Sequence, residues 1–422
     1  MTAATVGHAT LHGSLREPVL ASINFLNEIA AKFPDAISLA AGAPRDEFLD
    51  DVDICAAIER YLSFRGAGAQ RKLLQYAPAS GLINDLIAGW LSQREGINAA
   101  PEAIVVTAGC QEAIFITLRA LCAAPEDVLL TVNPCFVGVA GAARVLNIDL
   151  VGIDEQDDGI CPDQVARVCA RIRRSGRRPR GLYVIPDFAN PSGAQLSRAA
   201  RHQLLDIAAQ EDLLILEDNP YGFTAPAPRA PVLKCLDRNA RVIYLGTFSK
   251  ICAPGARVGF AVADQRVRYG AEPGRPEPEP RYLAAELATI KSMVTVNTSA
   301  LSQAFIGGMI LGDLDDQISR RAAFYRQNQR TLISALDRHL PPGVSWTSPK
   351  GGFFAVLRLP FAADEWLVEL SAREFGVLWT PMREFYVGNG GAHHMRVACS
   401  NLTLAEIEEG VARLARFIRA HS

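Results

Sequence analysis

Lys250 closes the segment Thr247-Phe248-Ser249-Lys250, with Pro254, Gly255, Arg257 and Gly259 close behind. The run before it, Val242-Ile243-Tyr244-Leu245, has the length and β-former content of a buried strand. The lysine therefore leaves a strand end on a turn that carries two hydroxyls and precedes an arginine. Partial desolvation at such a place lowers an amine's pKa and frees it to form a Schiff base with a carbonyl. The hydroxyls and the arginine suit a phosphate. Pyridoxal phosphate, an aldehyde that carries a phosphate, meets both demands. A surface lysine in a polar turn would show the same segment, so the other polar strand ends must decide.

Three of them bear on the question. After a strand over 103–107 comes Ala108-Gly109-Cys110-Gln111-Glu112, which opens a helix whose free N–H groups suit an anion. After a strand over 182–185 comes Asn190-Pro191-Ser192-Gly193. An Asn before Pro is held extended, so its amide can offer one fixed hydrogen bond, although a plain turn reads the same way. After a strand over 213–216 comes Glu217-Asp218-Asn219-Pro220-Tyr221-Gly222. Carboxylates closing an apolar strand need a partner. A pyridinium N–H is one such partner, and a buried Asp beside it keeps the ring protonated as an electron sink. A metal or a salt bridge is the alternative, and no His lies near. Late in the chain, Arg396 sits within the short apolar stretch Met395-Arg396-Val397-Ala398-Cys399, where a substrate carboxylate or an internal acid would pair with it.

The elements that must position these residues follow from periodicity. Further strands are expected over 128–132, 149–153, 242–245 and 259–262, and helices over 81–94, 111–122, 164–174 and 198–211. Strand-helix alternation predicts an α/β domain with a mainly parallel sheet, whose ligands bind beyond the carboxyl ends of the strands. Ser14-Leu15-Arg16-Glu17 before an apolar stretch predicts a capped helix. A long helical stretch is expected from Leu283 and an amphipathic connector helix over 315–340. Strands over 352–357 and 394–399 and a final helix from Leu404 make a smaller α+β domain. The stretch 271–281, rich in Pro and Glu, predicts an exposed loop.

The 422 residues, 49% hydrophobic, can bury a large core in two or three domains, or in one domain with a satellite. A formal net charge of -2 favours neither nucleic acid nor an anionic membrane surface. The basic stretch 171–180 reads as a solvated helix end and loop. The nine cysteines are odd in number and form no C-x-x-C pair, so neither a disulfide framework nor a metal site is expected. The N-terminus lacks a signal-peptide pattern, and no apolar run is long enough to span a bilayer. The expectation is a cytoplasmic protein that engages neither membrane nor nucleic acid.

Taken together and in order, these segments resemble fold-type I pyridoxal-phosphate enzymes, and among them the class I/II aminotransferases of the branch that holds 2-aminoadipate and kynurenine aminotransferases. The resemblance is carried by Leu74-Gln75-Tyr76-Ala77-Pro78-Ala79-Ser80-Gly81, by the segments around Gly109, Asn190, Asp218 and Lys250, by Arg257 and by Arg396. It runs from about Arg16 to the C-terminal helix. It implies an α/β fold: a large domain over 51–304 with a mainly parallel seven-stranded sheet between helices, and a smaller α+β domain over 305–422 joined by segment 1–50. It implies that Lys250 forms the internal aldimine and shuttles a proton, that Asp218 pairs with the ring nitrogen, and that Asn190 and Tyr221 hydrogen-bond the ring oxygen. Gly109, Cys110, Gln111, Thr247, Ser249 and Arg257 would surround the phosphate. Tyr76 would reach the phosphate of a second subunit, so a homodimer is implied. Arg396 would hold the substrate α-carboxylate, with Gly42 lining the pocket beside it. Cys110 stands where the branch usually has Ser, and Phe136 stands where it has a Tyr that stacks on the ring; stacking survives but a hydroxyl is lost.

The activity implied is ping-pong transfer of an amino group from an α-amino acid to a 2-oxo acid (EC 2.6.1.-), in amino-acid or specialised-metabolite biosynthesis. The same fold also supports elimination, decarboxylation, racemisation and cyclisation, depending on which bond aligns with the ring π-system. A sensor fused to a DNA-binding module would need more chain before Gly42. A nicotinamide-binding enzyme would need G-x-G-x-x-G after the first strand, and Gly66-Ala67-Gly68 lacks the third glycine. A dicarboxylic substrate would need a further cation, for which Arg16, Arg45 and Arg383 are the candidates by position.

Overall fold

The computed structural model describes residues 4–156, 159–270 and 279–422. Of the runs read as strands, the seven that precede residue 263 all lie in one sheet. They are β1 (Ile104–Thr107), β2 (Asp127–Asn133), β3 (Asp149–Asp154), β4 (Arg178–Val184), β5 (Leu214–Asp218), β6 (Val242–Thr247) and β7 (Gly259–Val262). The order across the sheet is β1-β7-β6-β5-β4-β2-β3. Strands β6, β5, β4, β2 and β3 run parallel. Strand β7 is antiparallel to both β6 and β1. Every residue of β2 is buried, as expected of a parallel strand that helices cover on both faces.

Helices Pro162–Arg174 and Arg198–Gln210 cross between successive parallel strands, close to their expected spans. The crossovers leave the carboxyl ends of β4, β5 and β6 side by side, which sets Ile185, Asp218 and Thr247 around one cavity. A second sheet is antiparallel throughout. Its strands β8 (Ser345–Trp346), β9 (Phe354–Arg358), β10 (Thr380–Pro381) and β11 (His394–Ala398) lie in the order β8-β9-β11-β10. Helix Leu314–His339 buries Leu314, Ile318, Ala322, Tyr325, Leu332 and Leu336, spaced as one helical stripe. The core under the second sheet joins Ile29, Leu39 and Ala40 to Leu336, Trp379, Val397, Leu414 and Phe417.

Several local expectations are corrected. The predicted capping box at Ser14 does not form. Ser14 lies in a short 3-10 turn and pairs with His12, while the helix Pro18–Lys32 starts on its proline with no side-chain cap. Proline at a first helical position needs no donor there, so the turn ends where it does. The helical stretch from Leu283 is two helices, Leu283–Val294 and Ala300–Ile310. Val296 takes a left-handed φ of 64° between them, and Ser299 caps the second. The helix-like stretch before Gly66 is the helix Ile54–Arg65, while the helix Val137–Val145 was not foreseen. Of the expected loop 271–281, residues 271–278 lie outside the described residues, and Arg281–Tyr282 pairs with Arg266–Val267 as a short antiparallel ladder.

Candidate active site

Lys250 follows β6 directly, and its amine donates to the carbonyl of Gly42 at 2.7 Å. Burial is the main force lowering its pKa, to about 8, helped by the charges of Arg396 and Arg257. It lines a cavity of about 610 Å³. The same cavity is lined by Gly42, Cys110, Gln111, Phe136, Asn190, Asp218, Tyr221, Thr247, Ser249, Arg257 and Arg396. Twelve of the fourteen residues singled out above therefore meet in one place. Gly109 and Tyr76 do not line it.

Gly109 acts from just behind the wall. Its φ of 80° and the Arg257 guanidinium lying where a Cβ would go both call for glycine. It delivers the chain into helix Cys110–Leu121, whose first N–H groups have no partner within the helix. Arg257, also in the left-handed region at φ 50°, reaches back to the Ala108 carbonyl at 3.5 Å. Ser249 N–H donates to Thr247 Oγ1 at 3.1 Å, so the two hydroxyls share one turn. Residues that follow β1, follow β6 and precede β7 thus line one cavity.

Asp218 ends β5, and its neighbour Glu217 points to the opposite face of the sheet. Glu217 accepts from the N–H groups of Leu233 and Lys234, both at 2.7 Å, which caps a short helix and takes no part in the cavity. Asp218 accepts from Tyr183 Oη at 2.6 Å and from Cys110 Sγ at 3.5 Å. Burial raises its pKa to about 6 despite those two donors. Among the described residues Asp218 has no cation as partner, and no group of three or more His, Cys, Asp or Glu could hold a metal ion.

Arg396, on β11, is 6% exposed. It donates to Asn190 Oδ1 at 2.7 Å, to the Ala40 carbonyl at 3.1 Å and to Thr380 Oγ1 at 3.3 Å. Its guanidinium lies 4.2 Å above the Phe354 ring centroid. Its Nε is buried without a partner, and burial lowers its pKa to about 10. A guanidinium that meets only neutral acceptors is set for a carboxylate. Burial also raises the Tyr221 phenol, keeping it protonated as a donor.

Further wall comes from Ser22 and Phe25 of the helix Pro18–Lys32, from Pro381 of β10, from Glu365 of the helix Glu365–Leu370 and from Glu384 and Phe385 before β11. None of these was foreseen. Neither Glu365 nor Glu384 forms an ion pair among the described residues, and burial raises the Glu384 pKa. Arg16, Arg45 and Arg383 do not line the cavity. Arg45 instead pairs with Glu47 and lies 3.8 Å from Glu406. Tyr183 was missed as well. Its one signal was a tyrosine inside an apolar strand, since a buried phenol seeks an acceptor.

Pyridoxal phosphate fits this donor set. An uncompensated buried carboxylate answers a pyridinium N–H, and a turn of hydroxyls, N–H groups and an arginine answers a phosphate. A buried amine of lowered pKa answers an aldehyde.

The profile of the class I and II aminotransferases matches residues 34–414. The chain is 42% identical to the (S)-3,5-dihydroxyphenylglycine transaminase of Amycolatopsis orientalis, over 97% of this chain and 94% of the relative. The kynurenine aminotransferase of Pyrococcus horikoshii, solved with PMP, superposes with a TM-score of 0.82 at 27% identity, covering 98% of each chain. The α-aminoadipate aminotransferase of Thermus thermophilus, solved with N-(5'-phosphopyridoxyl)-L-leucine, gives a TM-score of 0.79 at 29% identity, over 97% of this chain and 99% of that one.

Proposed function

We propose that this chain, which belongs to the class I and II aminotransferase family, takes an α-amino acid with a hydroxylated aryl side chain as its amino donor. It is a pyridoxal-phosphate-dependent aminotransferase of fold type I that moves an amino group from an amino acid to an oxo acid. The observation that carries the choice of donor is the set of charged groups that line the cavity. Its cations are Lys250, Arg257 and Arg396, and its side-chain end offers Phe25, Phe385, Glu365 and Glu384. One cation answers the phosphate, one the α-carboxylate, and the lysine is the base. A dicarboxylic donor would set a second carboxylate against two acids. An aryl ring packs on the phenylalanines, and its hydroxyls can donate to the carboxylates. The 42% identical relative is named for 3,5-dihydroxyphenylglycine, which has those features.

Pyridoxal phosphate, when bound, supplies the aldehyde that takes up the amino group and the ring that withdraws electrons. Lys250 would then take up the Cα proton of the donor and hold it for return. A pKa of about 8 leaves a useful fraction of neutral base near neutral pH. Arg396 would hold the α-carboxylate and so orient the donor's Cα. Asp218 keeps the ring nitrogen protonated. Asn190 and Tyr221 would hold the ring oxygen, and Phe136 would offer the ring an aromatic face. Gly109, Cys110 and Gln111 through their N–H groups, with Thr247, Ser249 and Arg257, hold the phosphate. Gly42 gives up its contact with the Lys250 amine and lines the carboxylate side.

The chain works as a cytoplasmic homodimer in this reading. Tyr76 is 82% exposed beside Leu74 at 75%, which leaves both available to a second copy whose phosphate Tyr76 would reach. Segments 1–50 and 305–422 would move as one small domain against 51–304, supported by the core that joins Leu39 to Leu336 and Trp379. Turnover of 3,5-dihydroxyphenylglycine, phenylalanine and 2-aminoadipate should be compared as kcat/KM. The hydroxylated aryl donor should lead. Preference for 2-aminoadipate would overturn the choice of donor.

A further inference from the structure

We infer that Tyr183 is a positioning residue that, with the Cys110 thiol, holds Asp218 ionised and aimed at the cofactor's ring nitrogen. This rests on the reading that Asp218 faces that nitrogen. Tyr183 belongs to β4, one strand over from Asp218, and the register pairs Tyr183 with Leu216. Leu216 and Asp218 alternate onto the same face of β5, so the phenol and the carboxyl lie side by side by construction of the sheet. Both are buried, Tyr183 at 2% and Asp218 at 4% exposure.

The Tyr183 hydroxyl donates to Oδ2 at 2.6 Å and the Cys110 thiol faces Oδ1 at 3.5 Å. The two oxygens are therefore unequal. Oδ2 carries a short bond to a strong donor that stands on the neighbouring strand. Oδ1 meets a weak thiol donor and stays free to accept a stronger N–H. A hydroxyl at position 110 would compete for Oδ1 with the ring; a thiol competes less. The cysteine at the start of the helix thus turns its side chain to the ring-nitrogen acid, leaving its backbone N–H for the phosphate.

The phenol also opposes the effect of burial. Desolvation pushes the Asp218 carboxyl upward, and the hydrogen bond from Tyr183 pulls it back. Without the phenol, more of the carboxyl is protonated at neutral pH, and a neutral carboxyl cannot hold a pyridinium.

The test compares Tyr183→Phe, Cys110→Ser and Asp218→Asn with the parent protein, each loaded with pyridoxal phosphate labelled with 15N at the ring nitrogen. The readouts are the 15N chemical shift across pH 6 to 9 and the dissociation constant of the cofactor from the cofactor-free protein. Tyr183→Phe should move the ring nitrogen toward the unprotonated shift and weaken cofactor binding about ten- to a hundredfold, the range for a hydrogen bond to a charged group. It should lower kcat with little change in KM for the amino donor. Cys110→Ser should move the shift by a smaller amount, which tests the inequality of the two oxygens even if Tyr183→Phe does not fold. If Asp218→Asn changes the shift and Tyr183→Phe and Cys110→Ser do not, the inference about Tyr183 and Cys110 fails while Asp218 keeps its role. If Asp218→Asn also leaves the shift unchanged, the reading of Asp218 itself fails.

Discussion

The two ends of the cavity are built differently. The end proposed to hold the cofactor rests on the carboxyl ends of β4, β5 and β6, where Asp218 and Thr247 close neighbouring strands and Lys250 follows on the turn after β6. Its polar groups already hold short bonds, such as Tyr183 to Asp218 at 2.6 Å and Lys250 to Gly42 at 2.7 Å. The wall proposed to face the substrate side chain is assembled from the helix Pro18–Lys32, the loop before β11 and the start of the helix Glu365–Leu370. There the wall is phenylalanine and two carboxylates without ion-pair partners among the described residues. Fixed, hydrogen-bonded groups on strands suit a cofactor that stays. A wall gathered from loops and a helix can differ between relatives without disturbing that frame, so in the proposed reading specificity would reside there.

Replacing groups at each end should separate these roles. Lys250→Ala removes both the nucleophile and the base, and turnover should fall by at least about 10⁴-fold; a fall under tenfold would show that another group moves the proton. Arg396→Leu strands a substrate carboxylate in a buried site. It should lower kcat/KM for all amino donors alike, by about 10² to 10³-fold, since breaking a buried charge pair costs roughly 2–5 kcal/mol. Steady-state kinetics on two unrelated donors would reveal whether the loss is uniform.

Asp218 ties the cofactor end to stability. Its folded pKa of about 6 lies above its ordinary 3.8. In the cofactor-free chain its favourable contribution is complete below about pH 4 and is lost as pH rises through 6. That difference of about 2 pKa units corresponds to up to about 3 kcal/mol. Asp218→Asn should therefore stabilise the cofactor-free chain at pH 8 by up to that amount, narrowing toward nothing near pH 4. Urea unfolding at the two pH values measures this; equal stability of the variant and parent at pH 8 would refute it. The smallest effect is expected at the other end. Glu384→Gln should leave cofactor binding unchanged and lower the preference for a hydroxylated over a plain aryl donor by about tenfold or less, a neutral-for-charged hydrogen-bond difference. Competition between the two donors reads that ratio directly.

The same contrast governs what could be read from the chain. The seven strands were legible because each is a short apolar run with β-formers, and the turns after them carry Gly109, Asn190, Asp218 and Lys250 close in sequence to the strands that aim them. Their convergence follows from parallel topology alone. Arg396 was legible because a cation inside an apolar strand demands an explanation. Glu365, Glu384 and Phe25 were not, because each sits in an ordinary amphipathic or loop setting and acquires meaning only when β11, its preceding loop and the first helix fold against the large sheet. Tyr183 shows the limit from the other side. It sits in a strand that was foreseen, but its partner is chosen by register between β4 and β5, which no local pattern encodes.

The most direct test is the absorbance of the purified protein loaded with pyridoxal phosphate, before and after a single amino donor is added without any oxo acid. Loss of the visible cofactor band, with release of one oxo acid per active site, is the predicted result and isolates the first half of amino transfer. A band that persists, or that changes with no oxo acid released, would contradict amino transfer at this site.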